Sequence, residues 1–80
     1  MTKEEIKRAI IKEILAIAPD IEEEEIGPDA NLQRSLEIDS FDFLKVLTAL
    51  NEKLGVEAPE ADYGKVDTLE KMADYFAQRL

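Results

Sequence analysis

The sequence contains no cysteine and no histidine. Without cysteine the chain has no disulfide, no thiolate metal ligand and no cysteine nucleophile. Without histidine it lacks the commonest general base and the commonest transition-metal ligand of proteins. Glycine and proline are also scarce, with 3 of each in 80 residues, which leaves little turn material for a protein of many short strands. These absences disfavour a disulfide scaffold, a histidine-dependent enzyme and an all-β fold.

Basic residues are outnumbered, with 10 Lys and Arg against 19 Asp and Glu, for a net charge of −9. Such a surface repels phosphate backbones and anionic lipid headgroups, so we expect no nucleic-acid partner and no stable membrane insertion. Proteins with basic patches are the complementary partners. The charged N-terminus has no apolar signal region and no run approaches transmembrane length, so a cytoplasmic protein is expected.

The length and the 45% hydrophobic content suit one globular domain, residues 1–80, which we expect to be a monomer. A first helix over about residues 3–17 is predicted from the Thr2-to-Glu5 capping-box pattern. Pro19 marks its end. Its inner face is formed by isoleucines at helical spacing, namely Ile6, Ile10, Ile14 and Ile17.

Residues 18–39 form a long connection in which Asn31 to Ser35 suggest a brief helical turn. Its apolar residues could pin it to the helices: Ile21, Ile26, Leu32, Leu36 and Ile38. A second helix is predicted from Asp39-Ser40 to Gly55, with an apolar stripe of Phe41, Leu44, Leu47, Leu50 and Leu54.

A short helical segment from Ala58 to Gly64 and a last helix capped by Asp67 and Glu70 complete the predicted chain. We expect Leu80 to extend the inner face of that last helix. The predicted fold is therefore all-α, a small four-helix bundle of three longer helices and one short helix with a long first loop.

The segment Asp39-Ser40-Phe41 is the candidate site. A serine at a helix N-terminus is exposed, and the positive end of the helix dipole favours an anion attached there. Because no base is evident, the hydroxyl would accept a modification from another enzyme rather than act as a catalytic nucleophile. Asp and Ser are also the preferred residues at helix starts, so the alternative is an ordinary N-cap.

The surrounding sequence resembles the acyl carrier protein family along nearly its whole length. Leu36-Glu-Ile-Asp-Ser-Phe41 and the apolar helix behind it are similar to the family signature, usually Leu-Gly-X-Asp-Ser-Leu. Ile26 to Leu32 resembles the loop ahead of the site, and Leu54 to Glu60 resembles the exit from the second helix. Asp67 to Phe76 is similar to the final helix. These landmarks occur in the family's order without large gaps.

The resemblance implies a carrier rather than an enzyme. A dedicated phosphopantetheinyl transferase would attach phosphopantetheine from coenzyme A to Ser40, next to the signature acid Asp39, and we expect no metal-binding residues in the carrier itself. The thiol of this cofactor would hold acyl groups as thioesters. Acyl-loading and acyl-processing enzymes with basic docking patches would then bind the helix after the serine, where the candidate docking residues are Phe41, Asp42, Leu44, Lys45, Thr48 and Glu52.

Three departures from the family pattern point to a specialised fatty-acid, polyketide or related pathway. Glu37 replaces the usual glycine before the site, and Phe41 replaces the usual leucine or methionine after the serine. Lys45, Asn51 and Lys53 dilute the acidic charge typical of carriers in primary fatty-acid synthesis.

Several alternatives stay open at this point. The cargo could be aminoacyl or D-alanyl, or the chain could be an acidic helical adaptor that binds a basic protein. The run Glu22 to Glu25 could bind calcium weakly, although a charge run is usually a solvated surface. Some apolar residues could line an acyl channel, although core packing is the commoner role of such residues: Phe41, Phe43, Met72, Tyr75 and Phe76.

Overall fold

The computed structural model describes residues 1–80, and its only ordered elements are helical. In chain order these are α1 (Lys3–Ile17), a 3-10 turn (Glu23–Glu25), α2 (Leu32–Ser35), α3 (Ser40–Leu54), a 3-10 helix (Glu60–Lys65) and α4 (Leu69–Arg79). The all-α prediction is confirmed, and the three longer helices are α1, α3 and α4. The long first loop contains the predicted helical turn as α2.

Helix α1 begins as its sequence predicts. The backbone N–H of Glu5 donates to Thr2 Oγ1 at 3.2 Å, and the Glu5 carboxylate accepts from the Thr2 N–H at 2.8 Å. This capping box satisfies two backbone donors that have no partner within the helix. One face of α1 is buried at Ile6, Ile10 and Ile14, and the helix packs against both α3 and α4. The first helix therefore forms the centre of the bundle.

Helix α3 carries two apolar stripes, and it buries only one of them. Phe43, Val46, Leu47 and Leu50 face the core, at the i, i+3, i+4, i+7 spacing of a single helix face. Phe41 lies outside that face and is 78% exposed, and Leu44 is also exposed. The apolar stripe predicted from the spacing is therefore divided between two faces: Leu47 and Leu50 are buried, whereas Phe41 and Leu44 are exposed, as candidate docking residues should be.

Four of the five candidate channel residues belong to the core. Phe43, Met72, Tyr75 and Phe76 are buried within one cluster of 20 apolar residues. None of them lines any of the three concavities of the molecule, which are surface grooves. The core reading of these four residues is confirmed for this structure, in which close-packed side chains leave no channel between them.

The long first loop is pinned at both its side chains and its backbone. Leu32, Leu36 and Ile38 are buried, as is Ile26, while Ile21 is half-buried. The Leu32 N–H donates to the Asp67 carbonyl at 2.9 Å, and the Glu70 N–H donates to the Pro28 carbonyl at 2.9 Å. These two bonds fasten the loop to the start of α4, so α2 begins at a fixed point.

Helix α4 differs from its predicted start. Thr68, not Asp67, is the N-cap, and its Oγ1 accepts from the Lys71 N–H at 3.1 Å. Asp67 instead lies 3.2 Å from the Lys71 ammonium. Thr68 has the extended backbone of a cap residue, which places the helix start one position later than the acidic pattern suggested. Leu80, expected on the inner face, is 54% exposed because it lies beyond the last helical residue.

Glu70 joins α4 to α1 through ion pairs rather than through a capping box. Its carboxylate pairs with the Lys3 ammonium and lies 2.7 Å from that of Lys7. Lys3 also lies 2.8 Å from Asp74. Hydrogen bonds from Lys3 and then from Lys7 lower the pKa of Glu70 from 4.5 to about 2. The two helices are thus joined by a charge network as well as by the core.

The 3-10 helix is attached to α4 by a tyrosine. Tyr75 donates its hydroxyl to Asp62 at 2.7 Å, and the Arg79 guanidinium lies 3.6 Å from the centre of the Tyr75 ring. This hydrogen bond lowers the pKa of Asp62 and raises that of Tyr75. The helix runs to Lys65, so Gly64 does not close it as the sequence suggested.

Candidate functional site

Ser40 is the first residue of α3, and Asp39 is the cap. The Asp39 side chain accepts from the Asp42 N–H at 2.8 Å, and its carbonyl accepts from the Phe43 N–H at 3.0 Å. Since Asp39 performs the capping, the Ser40 side chain is not needed for it and is exposed to solvent. Asp39 is therefore an N-cap of the ordinary kind that the alternative describes, and the Ser40 side chain takes no part in it.

The approach to Ser40 runs through α2. Asn31 caps that helix by accepting from the Arg34 N–H at 3.0 Å. At its other end the Ile38 N–H donates to the Gln33 carbonyl at 3.0 Å, the bond that defines a Schellman cap. Glu37, which lies between the C-cap Leu36 and Ile38, has φ 55, the left-handed conformation that this cap requires. The chain then turns directly into Asp39 and α3.

One side chain of this chain reaches the Ser40 hydroxyl. Gln33 Nε2 lies 3.5 Å from Ser40 Oγ and donates toward it. An amide nitrogen carries protons and cannot take one from the hydroxyl. The one side chain that is hydrogen-bonded to Ser40 Oγ is therefore not a base.

The environment of Ser40 suits an ester-linked phosphate. The backbone N–H groups of Ser40 and Phe41 have no acceptor within the chain, as expected at a helix N-terminus. Together with the helix dipole they stabilise negative charge beside Oγ. The Gln33 amide is a further neutral donor close to Oγ. The Ser40 hydroxyl is therefore exposed, and the groups near it are neutral hydrogen-bond donors that favour an attached anion.

The predicted docking residues lie along the outer face of α3. Phe41, Leu44, Lys45, Thr48 and Glu52 line, together with Ala49, one surface groove of about 400 Å³. Asp42 does not line it; this residue is half-buried and lies 3.6 Å from the Lys45 ammonium. The groove begins beside Ser40 and has apolar residues at that end, since Phe41 is 78% and Leu44 43% exposed.

Only one of the three residues that dilute the acidic charge of α3 lies at the groove. Lys53 lies 3.7 Å from Glu13 of α1, and Asn51 is half-buried. Of Lys45, Asn51 and Lys53, only Lys45 lines the groove. Of these three residues, Lys45 alone alters the charge that the groove presents to a partner.

Comparison with known proteins agrees with this geometry. The phosphopantetheine attachment site family matches residues 8–76. The chain is similar to the acyl carrier protein of Rubrobacter xylanophilus, with 35% identity over 78 residues, which cover 98% of this chain and 95% of that protein. The chain belongs to the acyl carrier protein family. A second acyl carrier protein, from Thermosynechococcus vestitus, is 29% identical over 70 residues, covering 88% of this chain and 86% of its own length.

Phosphopantetheine is accordingly the cofactor of this carrier protein, and its family is one of carriers rather than catalysts. When bound, the cofactor supplies a thiol that forms thioesters, while the protein supplies position and recognition. Family membership also implies interaction with a phosphopantetheinyl transferase and with enzymes of acyl metabolism.

Two features of the carrier were not found in the sequence. Gln33 stands seven positions before Ser40 in an unremarkable polar stretch, and only the folded turn brings the two side chains together. The left-handed conformation of Glu37 was also missed, because a helix ending of this kind is normally indicated by glycine. The substitution of the usual glycine was visible, but its backbone conformation was not.

Two further observations concern the acidic run and the possibility of a membrane-spanning helix. Glu22 to Glu25 are exposed around the 3-10 turn, and no group of three or more acidic side chains converges as metal ligands. No helix of the carrier reaches the length and apolarity that crossing a membrane requires.

Proposed function

We propose that Ser40 is the residue that receives the phosphopantetheine arm and that this carrier holds acyl groups on it for a specialised fatty-acid, polyketide or related pathway. The observation that supports this assignment is the exposed, uncommitted Ser40 hydroxyl at the capped start of α3. Asp39 is the adjacent residue that fixes this start through its bond to the Asp42 N–H.

The attachment step is a phosphoryl transfer to Ser40. The hydroxyl oxygen forms a bond to the phosphorus that carries pantetheine in coenzyme A, and the bond between the two linked phosphates breaks. The nucleotide half of coenzyme A leaves, and the serine proton passes to a base of the transferase, since Gln33 cannot accept it. The orphan N–H groups of Ser40 and Phe41 stabilise the charge of the product phosphodiester.

Intact mass spectrometry tests the attachment residue. The protein is incubated with coenzyme A and a broad-specificity phosphopantetheinyl transferase, and we expect a single phosphopantetheine adduct. Ser40→Ala should carry none. Ser35→Ala is the matched control, because Ser35 is the other serine of the chain, is also exposed and lies on α2, and it should be modified as the parent is. An adduct on Ser40→Ala would place the attachment elsewhere.

The partner surface that we propose is the groove on α3 with Asp42 at its edge. Its apolar end at Phe41 and Leu44 suits an apolar recess on the partner, and its Glu52 suits a basic patch. Lys45 opposes a uniformly basic partner, which supports enzymes of a specialised pathway rather than those of primary fatty-acid synthesis. We propose that the carrier acts as a monomeric single domain.

A swap of one charge tests the proposed pathway class. Loading and elongation by primary fatty-acid enzymes should be slow on the parent protein and faster on Lys45→Glu, because the variant restores an acidic groove. Lys65→Glu, which changes an exposed lysine of the 3-10 helix, is the control and should not gain. Rapid loading and elongation of the parent protein would contradict a specialised role.

An aminoacyl or D-alanyl carrier is the second candidate, since Ser40 and its surroundings would serve any thioester cargo equally. It predicts that the modified protein is charged by an aminoacid-activating enzyme and not by an acyl-loading enzyme. A non-carrier acidic adaptor predicts no adduct at all in the mass-spectrometric experiment.

A further inference from the structure

We propose that Glu37 is a specificity-determining residue for the enzyme that modifies Ser40, and that a cationic side chain of the phosphopantetheinyl transferase recognises its carboxylate. The inference rests on the proposed role of Ser40 as the attachment residue. Glu37 lies in the turn between α2 and α3 and is exposed, as Ser40 is.

The backbone of Glu37 is held in a conformation that disfavours its side chain. Its φ is 55, and it is the one residue other than glycine with positive φ in the chain. Gly55, which follows α3, has φ 71 and bears no side chain that could clash. At the corresponding position after α2, glycine would satisfy the same Schellman cap without strain. The fold alone therefore favours glycine at position 37.

The Schellman cap uses the backbone of Glu37, but no contact within the chain uses its carboxylate. The Glu37 carboxylate forms no hydrogen bond and no ion pair with any residue of the protein. The nearest cation in sequence is Arg34, which is also exposed and does not pair with it. Strained residues that contribute nothing to the fold are characteristic of functional positions. The contribution of this carboxylate therefore lies outside the molecule.

Of the carboxylates of Glu37, Asp39 and Asp42, only that of Glu37 makes no hydrogen bond and no ion pair within the chain. Asp39 is bonded to the Asp42 N–H as the helix cap, and Asp42 faces the Lys45 ammonium at 3.6 Å. A cationic side chain that approaches Ser40 therefore meets at Glu37 a carboxylate that no group of the chain already binds. The transferase reacts at Ser40 Oγ itself and must approach the residues around it, whereas the surface that we propose for later enzymes is the groove along α3, which Glu37 does not line. The transferase is therefore the partner that Glu37 can select.

Two substitutions separate the charge from the backbone strain. Glu37→Gln removes the charge and keeps a side chain in the left-handed conformation, and Glu37→Gly removes both the charge and the strain. Glu57→Gln is the matched control, since Glu57 is an exposed glutamate beyond the opposite end of α3. The probe is the purified transferase with coenzyme A, and arm transfer is followed by intact mass as kcat and KM for the carrier.

We expect both Glu37 variants to lose about two- to fivefold in kcat/KM at low ionic strength, the range of an exposed ion pair. The loss should fall on KM and disappear in high salt, because screening removes such a pair. Glu57→Gln should match the parent protein. The thermal midpoint should rise for Glu37→Gly and not for Glu37→Gln.

Other outcomes overturn the inference. If the Glu37→Gly carrier is modified as fast as the parent protein, the transferase does not recognise the carboxylate. A loss in Glu37→Gly alone would assign the effect to the backbone, and a loss that persists in high salt would exclude an ion pair. Failure of the parent protein itself to be modified at Ser40 would refute the proposed attachment residue instead, so the two failures are distinguishable.

Discussion

The α1–α4 interface and the turn between α2 and α3 are built in opposite ways. Across the interface Ile10 and Phe76 are fully buried, and Glu70 pairs with Lys3 and Lys7. In the turn Ser40 is exposed, and the backbone of Glu37 is left-handed. The difference shows that the buried core and the ion pairs lie away from the turn, which leaves Ser40, the proposed attachment residue, exposed to solvent.

Removing a buried aromatic residue from the interface should have the largest effect. Phe76→Ala is expected to destabilise the fold by about 3–5 kcal/mol, because the cavity adds to the lost burial. Chemical denaturation measures it. Phe41→Ala makes the same substitution at a phenylalanine that is 78% exposed, and it should change the unfolding free energy by no more than about 0.5 kcal/mol. Similar losses for the two would contradict the division between interface and turn.

Loss of the cap beside Ser40 should have an intermediate effect. Asp39→Ala removes the acceptor of the Asp42 N–H and is expected to cost about 1 kcal/mol of unfolding free energy. Amide hydrogen exchange should rise in the first turn of α3. Asp20→Ala, at an exposed loop aspartate, provides the control and should change neither quantity. An unchanged first turn in Asp39→Ala would mean that the cap does not hold Ser40 in place.

Relief of the strained residue should change stability in the opposite direction. Glu37→Gly is expected to stabilise the fold by about 1 kcal/mol, since glycine adopts a left-handed conformation without a Cβ clash. Gly55→Ala, the converse change at φ 71, should destabilise it by about 1 kcal/mol. Both are read from denaturation midpoints. A destabilised Glu37→Gly protein would show that the glutamate supports the turn after all.

The charge network between α1 and α4 should give the smallest effect, and one that depends on pH. The lowered pKa of Glu70, about 2 against 4.5, stabilises the fold above pH 4.5 and loses this contribution as the pH falls toward 2. Glu70→Gln should therefore melt below the parent near neutral pH, and the gap should close on acidification.

Thermal melts between about pH 6 and pH 2 measure this gap, and moderate salt should narrow it because the pair is exposed. Glu25→Gln, at an exposed glutamate without an ion pair, is the control and should follow the parent throughout. A gap that stays constant with pH would separate the Glu70 effect from its ionisation.

The sequence predicted the helices well where a local pattern determines the structure. The capping box of Thr2 and Glu5 and the isoleucine spacing placed α1 at its observed ends. Gly55 marked the end of α3 for the same reason, because its left-handed conformation is a local property. The predicted exposure of Ser40 also agrees with the structure, although its role as the attachment residue stays a prediction.

What the sequence could not predict depends on contacts between distant segments. Which of two apolar stripes on α3 faces inward depends on its packing against α1, so the spacing alone grouped the exposed Phe41 with the buried Leu47 and Leu50. Glu70 was taken for a capping residue because its partners Lys3 and Lys7 lie at the other end of the chain. The approach of Gln33 to Ser40 also depends on the turn at Glu37. The sequence does not indicate this turn, because glutamate stands where glycine normally marks it.

The two backbone bonds that join the first loop to α4 have a consequence for the order of assembly. Leu32 and Pro28 find their partners only at Asp67 and Glu70, near the end of the chain. During synthesis, a nascent chain that stops before residue 67 has a serine but no anchor for the helix leading to it. The backbone partners of the segment that leads to Ser40 are therefore present only once residues 67–70 have been synthesised.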